Sequence, residues 1–199
     1  MKRYDCLAAL AEIAGDAIAL TSASTTGEWS NLRPSHANLR ERTLGLCSSI
    51  GLGLALTLPQ RQILVLDGDG GLLLNLASLA TVGWQRPPNL THVVFVNGTY
   101  EASGGTRNAA GANTDLVAVA RDTGYPNAVW VDTLGEFRRE AEAALGRAGL
   151  SFIGARVEPG SQPGLEPVRI HPPENKFLLV RHIEETEHRR ILPAAYPQA

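Results

Sequence analysis

Cysteine is nearly missing from this 199-residue chain: only Cys6 and Cys47 occur, far apart in sequence. Two such thiols indicate neither a disulfide framework nor a zinc site. They also cannot hold an iron–sulfur cluster of the four-thiolate kind. A basic excess is missing too. Eighteen Lys and Arg face 20 Asp and Glu, a formal net charge of -2, so nothing announces a nucleic-acid partner. Long apolar runs are lacking: the longest, Ile50 to Leu58, falls well short of the roughly 20 residues a membrane helix needs. His36, His92, His171, His182 and His188 show no HxxH or HExxH spacing. Each reads as surface or structural, and His92 sits where an apolar strand begins.

Lys2 and Arg3 precede an apolar stretch, but Asp5, Glu12 and Asp16 interrupt it at helical spacing. No secretory h-region tolerates that. The segment reads as an amphipathic first helix and the chain as cytoplasmic, so the Asn97-Gly98-Thr99 glycosylation spelling drops out.

What is present is material for one domain with a full core. "AIALTSASTTG" reads as a short strand closed by a polar loop, and Glu28 to Arg42 as polar and irregular. "TLGLCSSIGLGLALTLP" suits a buried helix. "QILVLDGDG" and "THVVFVNGTY" are apolar on both faces, as parallel strands covered by helices are. Between them "LLLNLASLATVGWQ" reads as one helix; a helix at 116–124, a strand at 128–132, a helix at 134–148 and a strand at 151–157 follow. The alternation predicts an α/β fold with a parallel sheet flanked by helices. A single domain over 1–199 is expected, with 159–199 as a C-terminal tail packing on the surface or a partner.

The sharpest local feature is "VLDGDGGLLLN", an aspartate boxed by Gly68, Gly70 and Gly71 at the end of an apolar strand. In open parallel sheets ligands sit outside the carboxyl ends of the strands, where both Asp69 and Asn97 fall. Bare glycine amides at a helix start suit phosphate; a carboxylate and an amide oxygen suit Mg²⁺ bridging it. The competing reading is a tight βα turn in which Asp69 caps the following helix. Nucleotide motifs fit worse: Leu73 occupies the third glycine position of a dinucleotide fingerprint, and there is no GxxxxGK[ST] loop.

Gly68-Asp69-Gly70, followed after residues 71–96 by Asn97, resembles the thiamine diphosphate motif. The resemblance implies thiamine diphosphate and Mg²⁺ as cofactors, with Asp69, Asn97 and the Thr99 carbonyl as metal ligands. Most of the chain is similar to the phosphonopyruvate and sulfopyruvate decarboxylases. The match runs through "STTG" at 24–27, "TLGLCSSIGLGLAL" at 43–56, "GDGGLLLNLASLATVG" at 68–83 and "NGTYEASGGT" at 97–106, and continues in "ARDTGY" and "PPENK". The implied fold is the thiamine diphosphate-binding fold of the diphosphate-binding (PP) kind. The implied cofactor-binding residues are Thr25, Thr26, Gly45, Gly68, Asp69, Gly70, Gly71, Asn97, Thr99, Tyr100, Glu101 and Ala102. Leu44 stands at the methionine of that group's GSMGHASS block, the residue that props the cofactor in its bent form. Arg42 replaces a glycine, and in the loop written NGAHESVGGQ in the group this chain has Tyr100, Ala102, Ser103 and Thr106. Those changes border the substrate.

The resemblance implies decarboxylation of a small 2-oxo acid, 3-phosphonopyruvate or 3-sulfopyruvate, to CO₂ and an aldehyde. It also implies a partner: a pyrimidine-domain alpha subunit supplying the glutamate that activates the cofactor. On this reading the chain is the beta subunit of a hetero-oligomer, with neither nucleic acid nor membrane as partner. An acetolactate synthase-like carboligase subunit and a non-catalytic cofactor-binding regulatory subunit are the alternatives. Arg33, Arg40, Arg42 and Arg107 are candidates for a substrate oxyanion, with surface solvation the blander fate. Glu101 reads as a first-turn acid, and Trp29, Trp84 and Trp130 as packing or interface residues.

Overall fold

The computed structural model describes residues 1–40 and 43–192. Six parallel strands form one sheet: β1 (Ile18–Thr21), β2 (Asn38–Arg40), β3 (Ile63–Gly68), β4 (Leu90–Val96), β7 (Asn127–Val131) and β8 (Ser151–Arg156). Their order is β2-β1-β3-β4-β8-β7. A two-residue hairpin, β5 (Thr99–Tyr100) with β6 (Thr106–Arg107), stands apart from it. The helices are α1 (Arg3–Ile13), α2 (Thr26–Leu32), α3 (Cys47–Thr57), α4 (Asp69–Leu73), α5 (Ser78–Gln85), α6 (Leu116–Asp122), α7 (Leu134–Gly146) and α8 (Pro172–Thr186). Among the described residues no helix is long and apolar enough to cross a membrane, and Cys6 and Cys47 are buried and not joined in a disulfide.

The period-two pattern of β3 divides the core. Ile63 and Val65 face Leu52 and Ala55 of α3, Leu79 and Val82 of α5 and Val117 of α6. Leu64 and Leu66 face Leu7 and Leu10 of α1, Trp29 of α2 and Phe137 of α7. Both faces of the strand are dry, which is why it reads as an unbroken apolar run. Gly51 lets α3 lie directly on the sheet, since a Cβ there would come within 2.3 Å of Val65 Cγ2.

Two expectations need correction. Residues 28–42 are not irregular as far as they are described: they contain most of α2 and the three-residue strand β2. Trp29, fully buried and bonded through Nε1 to Asn38 Oδ1 at 2.9 Å, holds the two together. The single helix expected after Gly71 is broken, with α4 ending at Leu73 and α5 starting at Ser78. Asn75 sits in the break and donates from Nδ2 to the Gly45 carbonyl at 3.1 Å. The tail contains α8, which buries Leu179 and Ile183 in the core. Its Asn175 completes the sheet edge: Oδ1 accepts the Arg40 amide at 2.8 Å and Nδ2 donates to the Asn38 carbonyl at 2.9 Å. One side-chain amide thus does for β2 what a neighbouring strand would do.

Candidate active site

The chain leaves β1 for the edge strand β2 and returns to β3 on the other side, so the connections diverge at the β1–β3 boundary. Loops there separate and leave a crevice outside the carboxyl ends. A cleft lies there, lined by Ser22–Ser24 after β1, Gly68–Gly71 after β3 and Asn97 and Thr99–Ser103 after β4. Leu44, Leu74 and Phe95 supply its apolar wall, and Arg3 reaches it from α1.

Each glycine around Asp69 answers to a particular neighbour. A Cβ on Gly68 would come within 2.8 Å of Ser24 Oγ, on Gly70 within 2.7 Å of the Tyr100 ring, and on Gly71 within 2.8 Å of Asp67 Oδ1. The bare backbone therefore lets three loops converge on one carboxylate. That carboxylate does not cap a helix: Gly68 holds the cap position of α4. Instead Asp69 Oδ1 accepts the Gly70 amide at 2.8 Å and Oδ2 the Gly98 amide at 2.7 Å. Burial holds the carboxyl above its usual range against these bonds. Asn97 Oδ1 accepts from Thr99 N at 2.9 Å and from Thr99 Oγ1 at 3.0 Å, which folds the loop so that Asn97 and Thr99 adjoin. Gly98 makes the turn at φ 74°, and its Cα packs against Gly111.

The donor set near the cleft is thus one buried carboxylate, one amide oxygen and backbone carbonyl, all hard oxygen ligands of the kind Mg²⁺ takes. No group of three or more His, Cys, Asp or Glu that could hold a metal occurs among the described residues, so a softer, nitrogen- or sulfur-rich site has no candidate there. The oxygen set fits Mg²⁺ beside a diphosphate. The helix dipole contributes little, because α4 has only five residues.

Of the residues singled out in the sequence, Leu44, Gly68, Asp69, Gly70, Gly71, Asn97, Thr99, Tyr100, Glu101 and Ala102 line the cleft. Thr25, Thr26 and Gly45 do not. Thr25 is fully buried and donates to the Leu66 carbonyl at 2.7 Å; Thr26 donates to the Ser22 carbonyl at 2.8 Å. Both shape the turn that presents Ser22–Ser24. Gly45, at φ 84°, packs against Asn75 behind Leu44. Leu44 itself is 50% exposed at the cleft.

Arg33 donates to the Ala17 and Gly15 carbonyls, Arg40 to Ile170 and Arg107 to Gly111, all away from the cleft; Arg42 lies outside the described residues. Trp29 is core, Trp130 donates to Asp115 at 2.9 Å, and Trp84 is 81% exposed. Glu101 is a first-turn acid, as expected, though of a very short helix. It opens a three-residue 3₁₀ turn and is ion-paired with Arg3. Sequence reasoning missed Arg3, and also Asp67, whose buried carboxyl is pushed up to about 7 by desolvation. The only signal for either was a charge placed where its neighbours are buried.

Comparison with known proteins bears on this geometry directly. The chain is 38% identical over 131 residues to phosphonopyruvate decarboxylase of Streptomyces viridochromogenes, covering 66% of this chain and 32% of that protein. It is 38% identical over 117 residues to sulfopyruvate decarboxylase subunit beta of Methanocaldococcus jannaschii, covering 59% of this chain and 61% of that one. Among solved structures, a thiamine diphosphate-dependent 4-hydroxybenzoylformate decarboxylase of Rhodococcus jostii RHA1 superposes with a TM-score of 0.68 at 25% identity. It matches 80% of this chain and 33% of its own. The chain therefore spans less than two thirds of the length of each of these relatives. The family model for the thiamine pyrophosphate enzyme C-terminal TPP-binding domain matches residues 29–155. That range takes in the glycine-boxed Asp69, the Asn97 loop and the five strands of the sheet other than β1, the last of them to within one residue, and it makes this chain a member of the thiamine pyrophosphate enzyme family.

Proposed function

We propose that the chain is the beta subunit of a cytoplasmic, thiamine diphosphate- and Mg²⁺-dependent decarboxylase. Its substrate would be 3-phosphonopyruvate or 3-sulfopyruvate, and its products CO₂ and an aldehyde. The observation that carries this reading is the convergence of Asp69, Asn97 and Thr99 from the ends of two adjacent strands onto one cleft. The printed activities of the similar proteins supply the substrate class.

In this reading Asp69 would give the single charged ligand to Mg²⁺, with Asn97 Oδ1 and the Thr99 carbonyl as neutral ligands, and the ion would serve to hold the diphosphate. When bound, thiamine diphosphate supplies the electron sink that lets the 2-oxo acid lose CO₂. The chain's own part is to bind, orient and shield. Leu44, Leu74 and Phe95 form an apolar wall of the cleft, which would face the cofactor rings. Leu44 stands where a small displacement of the reacting atoms is expensive. The Tyr100 ring packs directly over Gly70 at the ligand loop.

The pyrimidine-domain alpha subunit would bring the activating glutamate. Leu44 and Leu74 line the cleft and are 50% and 57% exposed, an apolar rim that such a partner would cover. The test is CO₂ release from each 2-oxo acid by the purified chain, with and without the alpha subunit. Turnover only in the mixture is expected. Full turnover by the chain by itself would falsify the split-subunit reading. Condensation products from pyruvate in place of aldehyde would move the protein to the carboligases.

A further inference from the structure

One buried arginine belongs to no motif yet touches the cleft. Arg3, in the first turn of α1, is 2% exposed. Its Nε and Nη2 donate to the two carboxylate oxygens of Glu28 at 2.9 and 3.3 Å, and Nη1 donates to Glu101 Oε2 at 2.9 Å. Nη2 also reaches the Gly160 carbonyl at 3.3 Å and Ser161 Oγ at 3.0 Å. The crossing segment after β8 answers in kind: the Gly160 amide donates to Glu101 Oε1, and the Gln162 amide to Glu28 Oε1 at 2.9 Å. Burial disfavours the guanidinium charge, but the bonds and charges of Glu28 and Glu101 outweigh it and raise its pKa. A buried charge is tolerated on these terms only when its hydrogen-bonding capacity is taken up.

The pairing with Glu101 has a reach beyond packing. Glu101 follows directly on Thr99–Tyr100, and residues 102–107 beyond it are exposed. The hairpin is closed at its base by the Asn108 amide on the Gly98 carbonyl and across its neck by the Gly105 amide on the Tyr100 carbonyl, both at 2.9 Å. Neither bond ties it to the helices. The Tyr100 ring does, against Gly70 of α4, and so does Glu101, through Arg3 to α1 and through the shared guanidinium to Glu28 on α2.

We propose that Arg3 is a positioning residue of the cofactor site: acting through Glu101, it fixes the Thr99–Arg107 hairpin and with it the Thr99 carbonyl. It thereby sets the affinity for Mg²⁺ and thiamine diphosphate. This rests on the functional reading above. The arginine touches neither ion nor cofactor; its effect is to keep a backbone ligand from wandering.

The test uses the full chain and the variants Arg3→Lys, Arg3→Ala, Glu101→Gln and the double variant Arg3→Lys/Glu101→Gln. Arg3→Ala strands the buried Glu28 carboxylate and threatens the fold, whereas Glu101→Gln leaves Arg3 and Glu28 paired. Two readouts are taken: amide hydrogen exchange without cofactor, and calorimetric titration with thiamine diphosphate and Mg²⁺. Expected is faster exchange over residues 99–107 in Arg3→Lys and Glu101→Gln, with β4 protected as in the wild type. Affinity should fall about tenfold, the equivalent of roughly 1.4 kcal/mol, and the double variant should be no worse than the weaker single. Unchanged exchange at 99–107, or unchanged affinity in these folded variants, would overturn the proposal, as would losses that add. If the wild-type chain binds no cofactor with its alpha partner present, the functional reading falls and the affinity claim with it. Unchanged exchange would sink the Arg3 link alone.

Discussion

The Asp69 carboxylate accepts the Gly98 amide at 2.7 Å, joining the end of β3 to the turn that follows β4. Those strands run side by side, with Gly68 opposite Phe95. Asp69 therefore fastens the two loops that would carry the other ligands, and the metal reading and the architecture lean on the same side chain.

Asp69→Ala and Asp69→Asn should separate the two roles. Alanine leaves the Gly70 and Gly98 amides without their acceptor, and each buried unsatisfied group costs about 1–3 kcal/mol. Asparagine keeps one oxygen for those amides and loses the charge. Both variants should lose Mg²⁺-dependent binding of thiamine diphosphate in calorimetry. Alanine should lower the denaturation midpoint further than asparagine. An Asp69→Asn protein that binds the cofactor as tightly as the wild type would remove Asp69 from the metal.

Leu44→Ala should hardly change stability. The side chain is 50% exposed, and surface substitutions usually stay within about 0.5 kcal/mol. Turnover of the assembled enzyme should fall by more than cofactor affinity, because the proposed role is to orient. If steady-state kinetics show no loss, Leu44 belongs to the rim and not to the reaction.

The glycine-boxed Asp69 and the Asn97 loop were legible because each sits where an apolar strand stops, a local signal. The doubly buried strands β3 and β4 were legible for the same reason. Arg3 was not, because nothing near it in sequence announces Glu28 or Glu101; the partners meet only when α1 packs beside α2 and the crossing segment at 158–162 passes over both. Strand β2 escaped notice because it has three residues and borrows its edge bonds from Asn175, far along the chain. The turn between α4 and α5 was hidden by a run of leucines that suits a continuous helix. Local propensity yielded there to the tertiary bond from Asn75 to Gly45.

Gly83→Ala should destabilise, although Gly→Ala inside a helix normally stabilises by roughly 0.5–1 kcal/mol. The α5 backbone at Gly83 lies against the turn after α6, and an added Cβ would come within 2.0 Å of the Thr123 carbonyl oxygen. Backbone on both sides leaves no flexible side chain to give way. Chemical denaturation should show a lower midpoint than the wild type. A midpoint equal to or above it would mean that the turn after α6 moves aside to admit the methyl group.

The last prediction concerns pH. His92 on β4 is fully buried among Phe152, 5.2 Å away edge-on, and Tyr125. Neither ring nitrogen has a hydrogen-bond partner among the described residues. Burial alone depresses its pKa to about 3, against about 6.5 in an unfolded chain. Because the folded value is the lower one, the unfolded state takes up a proton first as pH falls. The contribution is whole above about pH 6.5 and is lost toward pH 3 at roughly 1.4 kcal/mol per unit. Asp67 works the other way. Desolvation lifts its folded pKa to about 7, so the folded state holds the extra proton and stability from this group declines as pH rises from about 4 to 7. Over about pH 4–6.5 the two slopes oppose each other in the wild type. His92→Phe removes one of them and keeps an aromatic ring in the same cluster. Urea midpoints of the two proteins, taken at steps across that window, should therefore diverge, the wild type gaining on the variant as pH rises. Parallel curves would show that the His92 ring titrates alike in both states, and hence that water or a proton acceptor reaches it in the folded protein.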